Sequence, residues 1–291
     1  MLSLVLPKGS LERATFELFA HADLAVRRAS DVDYTATIDD PRVSAVRILR
    51  PQEIPLYVAE GLFDLGITGR DWVEETGADV VSLGSLAYSK ATSAPIRVVL
   101  AVAESSPVGK VEDLRPGSKV ATEYPRLTER FLSQRGVQAE IRFSYGATEA
   151  KVPDIADAVV EITETGRALR AAGLRIVATV LVSSTELVAN RAAAADPEKQ
   201  RAMAQLRTLL DGALEARGKV LVKLNVGEQD LPAVIELLPS MKSPTVSKLF
   251  GDNAYAVETV VPKEDVNVLI PALKERGASD IIELELSKIV H

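Results

Sequence analysis

The 291-residue sequence contains no cysteine. That excludes disulfides, thiolate nucleophiles and zinc–thiolate centres together, and it suits a cytoplasmic life without requiring one. Histidine occurs only as His21 and His291. Neither a histidine-rich metal site nor an internal Ser-His-Asp triad is therefore expected. No apolar run approaches the roughly 20 residues that span a bilayer. The apolar segment 2–6 is too short for a signal peptide and lacks a basic leader, so it is expected to be a buried strand. Positive charge is also in short supply, with 34 Lys and Arg against 41 Asp and Glu, a net charge of -7. Such a surface has no general attraction for nucleic acid or anionic membrane, so any cations that hold a phosphate must be local.

What is present is an ordinary globular balance, 47% hydrophobic and 26% charged, in a chain long enough for two or three compact units. Short apolar segments alternate with helical patterns, the signature of α/β architecture with mainly parallel sheets. Strands are expected at 2–6, 43–49, 63–69 and 80–86, with helices over 10–20, capped by Ser10, and 51–60. A second run places strands at 96–103, 119–122, 140–143, 156–160 and 176–182, with helices over 125–135 and 167–172. The alanine cluster 192–195 reads as helical surface, and a long helix over 197–216 follows with its apolar residues on one face. From 219 the pattern changes. Strands at 219–226, 245–249, 254–261 and 281–286 enclose helices over 229–238 and 266–276, with the loop 215–218 as the expected boundary. That βαββαβ order is a ferredoxin-like unit.

Two segments carry chemistry. From Asp154 to Arg167, a strand ends in hydroxyl residues and a glycine, and a helix begins at once. Such a turn gathers backbone N–H groups and a positive helix end around one point where a phosphate can sit. Thr163 and Thr165 add hydroxyls, Arg167 adds charge, and Asp157, Glu161 or Glu164 can take a ribose diol or a magnesium ion. The same residues also describe a plain helix cap with solvated charges. From Arg50 to Asp71, Gly66 and Gly69 let a backbone turn approach a ligand at the carboxyl end of a strand. Alternatively these glycines only form turns, Asp71 caps a helix, and Tyr57 and Trp72 are core. After the first strand, Lys8 next to Gly9 can reach a phosphate.

Together these segments resemble the ATP phosphoribosyltransferase family of histidine biosynthesis over nearly the whole chain. Pro7-Lys8-Gly9 matches the family's opening turn, and the run Asp64-Leu65-Gly66-Ile67-Thr68-Gly69-Arg70-Asp71 matches its glycine-rich segment. Thr122-Glu123-Tyr124-Pro125, Glu149, Ala156-Asp157-Ala158 and Thr165-Gly166 follow in the family's order. Asp154 stands for a usual glycine, Glu161 for an aspartate, Ala168 for a threonine and Ser10 for an arginine, and the spacing from Glu149 is one residue short. These departures bear on single contacts.

The resemblance implies a two-lobed, periplasmic-binding-protein-like α/β region, with lobe I at 1–90 and 179–212 and lobe II at 91–178. A C-terminal ferredoxin-like (ACT-like) regulatory domain, the mark of the long form, would cover 215–291. It implies transfer of phosphoribosyl from phosphoribosyl pyrophosphate to N1 of ATP with Mg2+. Phosphoribosyl pyrophosphate would meet Asp157, Glu161, Thr163, Glu164, Thr165, Gly166, Arg167 and Ala168. ATP would meet Lys8, Gly9, Arg50, Gly66, Gly69, Asp71, Thr122, Glu123 and Tyr124. Histidine would inhibit through Asn225, Thr245 and Ser247, within the matching stretch from Ser243 to Leu249. A cytoplasmic homo-oligomer, dimer to hexamer, is implied as well.

Two other readings compete. A solute-binding or effector-sensing module uses the same two-lobed fold, but it predicts a secretion signal or a DNA-binding helix-turn-helix, and neither is visible. A non-catalytic regulatory subunit predicts an eroded phosphate turn, whereas Thr163-Glu164-Thr165-Gly166-Arg167 is intact.

Overall fold

Strand β1 (Leu2–Pro7) is apolar on both faces, and Leu2, Leu4, Val5 and Leu6 are all buried. That is the pattern of a central strand in a parallel sheet. The computed structural model describes residues 1–88, 95–239, 243–251 and 253–291. Its first compact unit, Met1–Leu206, holds two sheets. After β1 come α1 (Glu12–His21), β2 (Val26–Arg27), β3 (Thr35–Ile38) and β4 (Val43–Leu49). Then follow α2 (Ile54–Ala59), β5 (Leu65–Gly69), α3 (Arg70–Thr76) and β6 (Val80–Leu86).

The chain next builds a second sheet from β7 (Ile96–Ala103), β8 (Ser118–Thr122), α4 (Pro125–Ser133), β9 (Ala139–Phe143), β10 (Ala158–Thr163), α5 (Arg167–Ala171) and β11 (Leu174–Ser183). It returns through Ser184 to the first sheet as β12 (Thr185–Asn190), followed by α6 (Arg191–Ala195) and α7 (Pro197–Ala216). The first sheet has the order β2-β3-β4-β1-β5-β12-β6, and the second β11-β7-β10-β8-β9. In the first, β1 runs parallel to β4 and β5. In the second, β10 runs parallel to β8 and antiparallel to β7.

Both sheets keep the expected α/β character, but they are mixed and not mainly parallel. Strands β2, β3, β7 and β12 run against their neighbours, and six of the ten pairings among the described residues are antiparallel. Further differences have local causes. Sequence reading misses β2, β3 and β12. The first two have only two and four residues, too few for a periodic pattern, and β12 follows β11 with one residue between them, leaving no turn signal to read. Strand β11 stays paired with β7 through Ser183, so the return crossing falls five residues after the expected position 179. The outward crossing expected at 90/91 lies outside the described residues. Ser10 does not cap α1, which begins at Glu12 without a side-chain cap. Nor does Asp71 cap α3, since it is already the second residue of that helix. In the alanine cluster of α6, Ala193 is buried, so that helix is not all surface.

The second compact unit, Arg207–His291, contains β13 (Lys219–Gly227), α8 (Leu231–Leu237), β14 (Thr245–Lys248), β15 (Ala254–Pro262), α9 (Val266–Glu275) and β16 (Ala278–Glu285). All pairings in its sheet, β14-β15-β13-β16, are antiparallel. Strand β13 alternates strictly, and Val220, Val222, Leu224 and Val226 are buried against Val234 of α8 and Leu269 and Leu273 of α9. Each such side chain contributes about 1.5–3 kcal/mol by leaving water. The opposite face carries Lys223, Asn225, Thr245, Ser247 and Glu258, as period-two alternation requires.

Candidate active site

A cleft of about 760 Å³ opens between the two sheets of the first unit. From the first sheet come Ser10 and Leu11 before α1, Pro51 before α2, Gly69, Asp71 and Trp72 at the β5–α3 turn, and Tyr88 after β6. From the second come Ile96 of β7 and residues 162–165, 167, 168 and 171 around the β10–α5 turn. Residues 183–185, where the chain crosses back, complete the lining.

The β10–α5 turn is built by its own hydroxyls. The Gly166 N–H donates to Thr163 Oγ1 at 2.8 Å, and the Arg167 N–H makes a longer contact with Thr165 Oγ1 at 3.4 Å. Gly166 has φ +73°, a left-handed conformation that favours glycine. Arg170 fastens the turn from behind, donating from Nη2 to the Thr165 carbonyl at 3.1 Å. The Gly166 N–H is thus spent inside the turn. Thr165, Arg167 and Ala168 line the cleft, and the first N–H groups of α5 have no carbonyl partner within the helix.

Across the cleft, Asp71 is 1% exposed. It accepts hydrogen bonds from Ser183 Oγ at 2.6 Å and from the Tyr124 hydroxyl at 2.7 Å. One carboxylate therefore joins α3, the crossing at the end of β11 and the segment ahead of α4. Burial raises the Asp71 pKa, opposed by the hydrogen bonds from Ser183 and Tyr124. The Tyr124 phenol is pushed well up, by burial first and then by the neighbouring Asp71 charge, so it stays a donor. The carboxylate also explains Gly69, because a Cβ there would lie 2.1 Å from Asp71 Oδ1.

Glu161, half-buried on β10, has its pKa raised chiefly by burial and further by the charges of Glu123 and Glu149. It accepts from the Ile162 N–H at 2.9 Å. Nearby, Thr148 and Ser144 share a 2.8 Å hydrogen bond, and Lys151 donates to Ser144.

Other expected site residues fall elsewhere. Asp157 precedes β10 and accepts from the Lys119 N–H at 2.8 Å. It thus sits a full strand, roughly 20 Å, from the β10–α5 turn. Gly66 lies inside β5 beneath α2, where a Cβ would be 2.8 Å from Ile54 and Val58. It serves packing, not ligand approach. Lys8 places its ammonium 4.0 Å from the centre of the Tyr34 ring. The Gly9 N–H donates to Glu12, and Arg50 is exposed at the end of β4. Thr122, fully buried, accepts from the Tyr124 N–H at 2.9 Å. Lys8, Gly9, Arg50, Thr122, Glu123, Tyr124, Glu161 and Gly166 are not among the cleft-lining residues, although Tyr124 orders the cleft wall through Asp71. Sequence reading missed Tyr88, Ile96 and residues 183–185 as lining, and it offered Trp72 only as core. Adjacency to Asp71 was the available signal for Trp72.

In the second unit, Ser247, Ala256, Asn225 and Ser279 form one row across the sheet. Asn225 and Ser247 therefore stand two strand spacings apart, about 9.5 Å. Asn225 Nδ2 donates to Asp280 Oδ2 at 3.0 Å. Asp280 takes φ +49° where β16 carries one extra residue against β13. Asp280 is an acidic neighbour that the sequence reading did not find.

Two α/β sheets facing one cleft, with a hydroxyl-and-glycine turn on one wall, define a two-lobed α/β protein suited to a small ligand. The family model HisG, described as ATP phosphoribosyltransferase, matches residues 50–212, and that of the HisG C-terminal domain matches residues 216–288. The ATP phosphoribosyltransferase of Pelotomaculum thermopropionicum is 47% identical over 291 residues, covering 99% of each chain. That of Desulforudis audaxviator is 48% identical over 291 residues with the same coverage. The solved ATP phosphoribosyl transferase (HisG:HisZ) complex from Thermotoga maritima shares the fold. It has TM-score 0.62 and 24% identity, over 72% of this chain and 99% of that one. The chain belongs to the ATP phosphoribosyltransferase family of histidine biosynthesis, in the long form with a C-terminal domain, and is a pentosyltransferase.

Proposed function

We propose that the cleft joins phosphoribosyl pyrophosphate to ATP, giving phosphoribosyl-ATP and pyrophosphate. The observation that carries this reading is the intact Thr163-to-Arg167 turn facing the Gly69, Asp71 and Trp72 wall across one cavity. In the reaction, the adenine N1 lone pair forms a bond to ribose C1 while the C1–O bond breaks and its electron pair leaves with pyrophosphate. No covalent nucleophile is needed. Catalysis comes from holding N1 and C1 in line and stabilising charge as it develops.

Thr165, Arg167 and the N–H groups at Ala168 and Leu169 hold phosphate oxygens, with Thr163 shaping the turn. Ala168 contributes backbone only, where relatives commonly offer a threonine hydroxyl. Glu164, which lines the cleft, and Glu161, which precedes the lining on β10, are assigned to the ribose diol or a cation. The adenine ring lies against Trp72, Leu11 and Pro51, the apolar part of the lining, with Asp71 and Tyr124 fixing that wall. In this assignment Asp157 and Gly66 have structural roles.

A divalent cation fits the donor set. Among the described residues no three His, Asp or Glu side chains converge to cage a metal. Magnesium typically takes one or two carboxylates and draws its other ligands from water and substrate phosphates. Glu161, pressed by burial and by Glu123 and Glu149, is the carboxylate that such a cation relieves. Bound Mg2+ would neutralise charge on the departing pyrophosphate.

Among the described residues, lobe I is assigned to 1–88 and 184–212 and lobe II to 95–183, with the regulatory domain beginning at 215. That domain is read as a histidine sensor. Asp280, held by Asn225, accepts the effector's ammonium, and Thr245 and Ser247 donate to its carboxylate. Inhibition then requires histidine to favour one global state of the enzyme over another. A cytoplasmic homo-oligomer, dimer to hexamer, belongs to the same reading and is checked by light scattering with and without histidine. The catalytic assignment is tested by calorimetric titration of phosphoribosyl pyrophosphate with magnesium into wild type and Thr165→Ala. A loss of about ten-fold or more in affinity is expected for a hydrogen bond to a charged group. Unchanged affinity would remove the turn from the site.

A further inference from the structure

The two sheets of the first unit are also joined without covalent bonds, by α3 against α4. Glu75, 8% exposed, reaches from α3 and accepts the backbone N–H groups of Arg126 at 3.0 Å and Leu127 at 2.8 Å. Those N–H groups open α4 and have no carbonyl partner within it, and Pro125 before them has no N–H to offer. A carboxylate on one lobe thus caps a helix of the other, where the positive helix end favours it.

The return contacts reinforce the junction. Arg126 Nη1 donates to the Thr76 carbonyl at 2.8 Å, and Arg130 pairs with Glu74 at 2.7 Å. Trp72 stacks on Tyr124 with ring centres 4.5 Å apart and 29° between planes, and it packs against the apolar core of the second sheet. Asp71 and Glu75 are one helical turn apart, so both carboxylates point toward the α4 entrance, one to Tyr124 and one to the N–H groups that follow it. Asp71 and Trp72 also line the cleft.

We propose that this seam bolts the lobes together and that Glu75 is a positioning residue for the reaction, setting the cleft wall through Tyr124, Asp71 and Trp72. A cap on α4 fixes the place of Tyr124, which directly precedes it. Tyr124 in turn fixes Asp71 by hydrogen bond and Trp72 by stacking. Loosening the cap displaces the wall opposite the phosphate turn, and in a reaction that depends on aligning N1 with C1, small displacements are costly. The kinetic part of this inference rests on the reading of the cleft given above; the seam itself does not.

Trp72 is the chain's one tryptophan, so its emission reports the seam without any need for turnover. The experiment compares full-length wild type, Glu75→Ala and Glu75→Gln by tryptophan emission, hydrogen exchange of the Arg126 and Leu127 amides, and steady-state kinetics. Glu75→Gln keeps one acceptor and the side-chain shape, and so remains informative if Glu75→Ala fails to fold. In the alanine variant those amides should exchange about ten-fold faster or more, since their buried acceptor is gone. Trp72 emission should move to the red, and kcat/KM for ATP should fall about ten-fold while calorimetric affinity for phosphoribosyl pyrophosphate stays within about two-fold. The glutamine variant should fall between. Faster exchange with unchanged kinetics, in protein still folded at the assay temperature, reduces Glu75 to a structural cap and overturns the positioning role. Unchanged exchange overturns the seam. A wild type inert toward both substrates contradicts the reading of the cleft and not the seam, which emission and exchange still decide.

Discussion

Replacing Asp71 with alanine removes the acceptor for two buried donors, the Tyr124 and Ser183 hydroxyls. Tyr124 is 2% exposed and Ser183 0%, so water does not readily replace the carboxylate. Each donor left unsatisfied costs about 1–3 kcal/mol, about 2–6 kcal/mol for the pair. At roughly 2–4 °C per kcal/mol for a unit of this size, the melting temperature should fall by about 5–20 °C. A helix cap alone is worth only about 1 kcal/mol, so the measurement separates the two roles. Asp71→Asn keeps one acceptor and the shape, and should lose much less. Because burial raises the Asp71 pKa, the folded state holds its proton more tightly than the unfolded state does. The ionised carboxylate then costs stability that grows as pH rises from the unfolded value to the raised folded value. Above that window the asparagine variant should close part of its gap to wild type; below it the two should differ most in the wild type's favour. Thermal melts of the three proteins across acid to neutral pH, with separate calorimetric titrations of ATP and phosphoribosyl pyrophosphate, supply the test. An Asp71→Ala protein melting within about 2 °C of wild type would refute the junction, because a shift that small corresponds to about 1 kcal/mol or less.

Gly166→Val places a Cβ 2.8 Å from Arg170 Nη1 in a backbone with φ +73°. The left-handed conformation costs a non-glycine residue about 1–2 kcal/mol, so lower stability and weaker phosphoribosyl pyrophosphate binding by calorimetry are expected. Glu161→Gln removes a carboxylate whose pKa burial and like charges raise. It should melt higher than wild type at neutral pH, with the gap closing in acid, while magnesium-dependent binding of phosphoribosyl pyrophosphate weakens. Thr245→Ala and Asp280→Asn should each raise the histidine concentration for half-inhibition by about ten-fold or more, with uninhibited turnover unchanged, as loss of a hydrogen bond to a charged group implies. Inhibition identical to wild type in both variants would remove histidine from that sheet face.

Much of the architecture is legible because periodicity and punctuation agree with packing. Strands β4, β6 and β7 and helix α7 fall on their expected residues, and the second unit keeps its βαββαβ order. Strand β12 is hidden because a single residue separates it from β11, and its place depends on pairing with β5 and β6, far away in sequence. The Thr163-to-Arg167 turn is legible because it is local: hydroxyl, glycine and helix start are consecutive. Asp157 is near that turn in sequence but far in space, since the six residues of β10 intervene. Gly66 and Gly69 look alike in sequence, yet one lies under α2 and the other under the Asp71 carboxylate. Glu75 carries no signal in sequence, because its partners are backbone N–H groups 51 and 52 residues away.

The measurement that bears most directly on the central claim is ultraviolet detection of phosphoribosyl-ATP from ATP and phosphoribosyl pyrophosphate by the purified full-length chain. The account predicts product only when both substrates and magnesium are present, suppression by millimolar histidine, and loss of that suppression with residues 215–291 deleted. A folded enzyme that binds both substrates yet forms no product would contradict it.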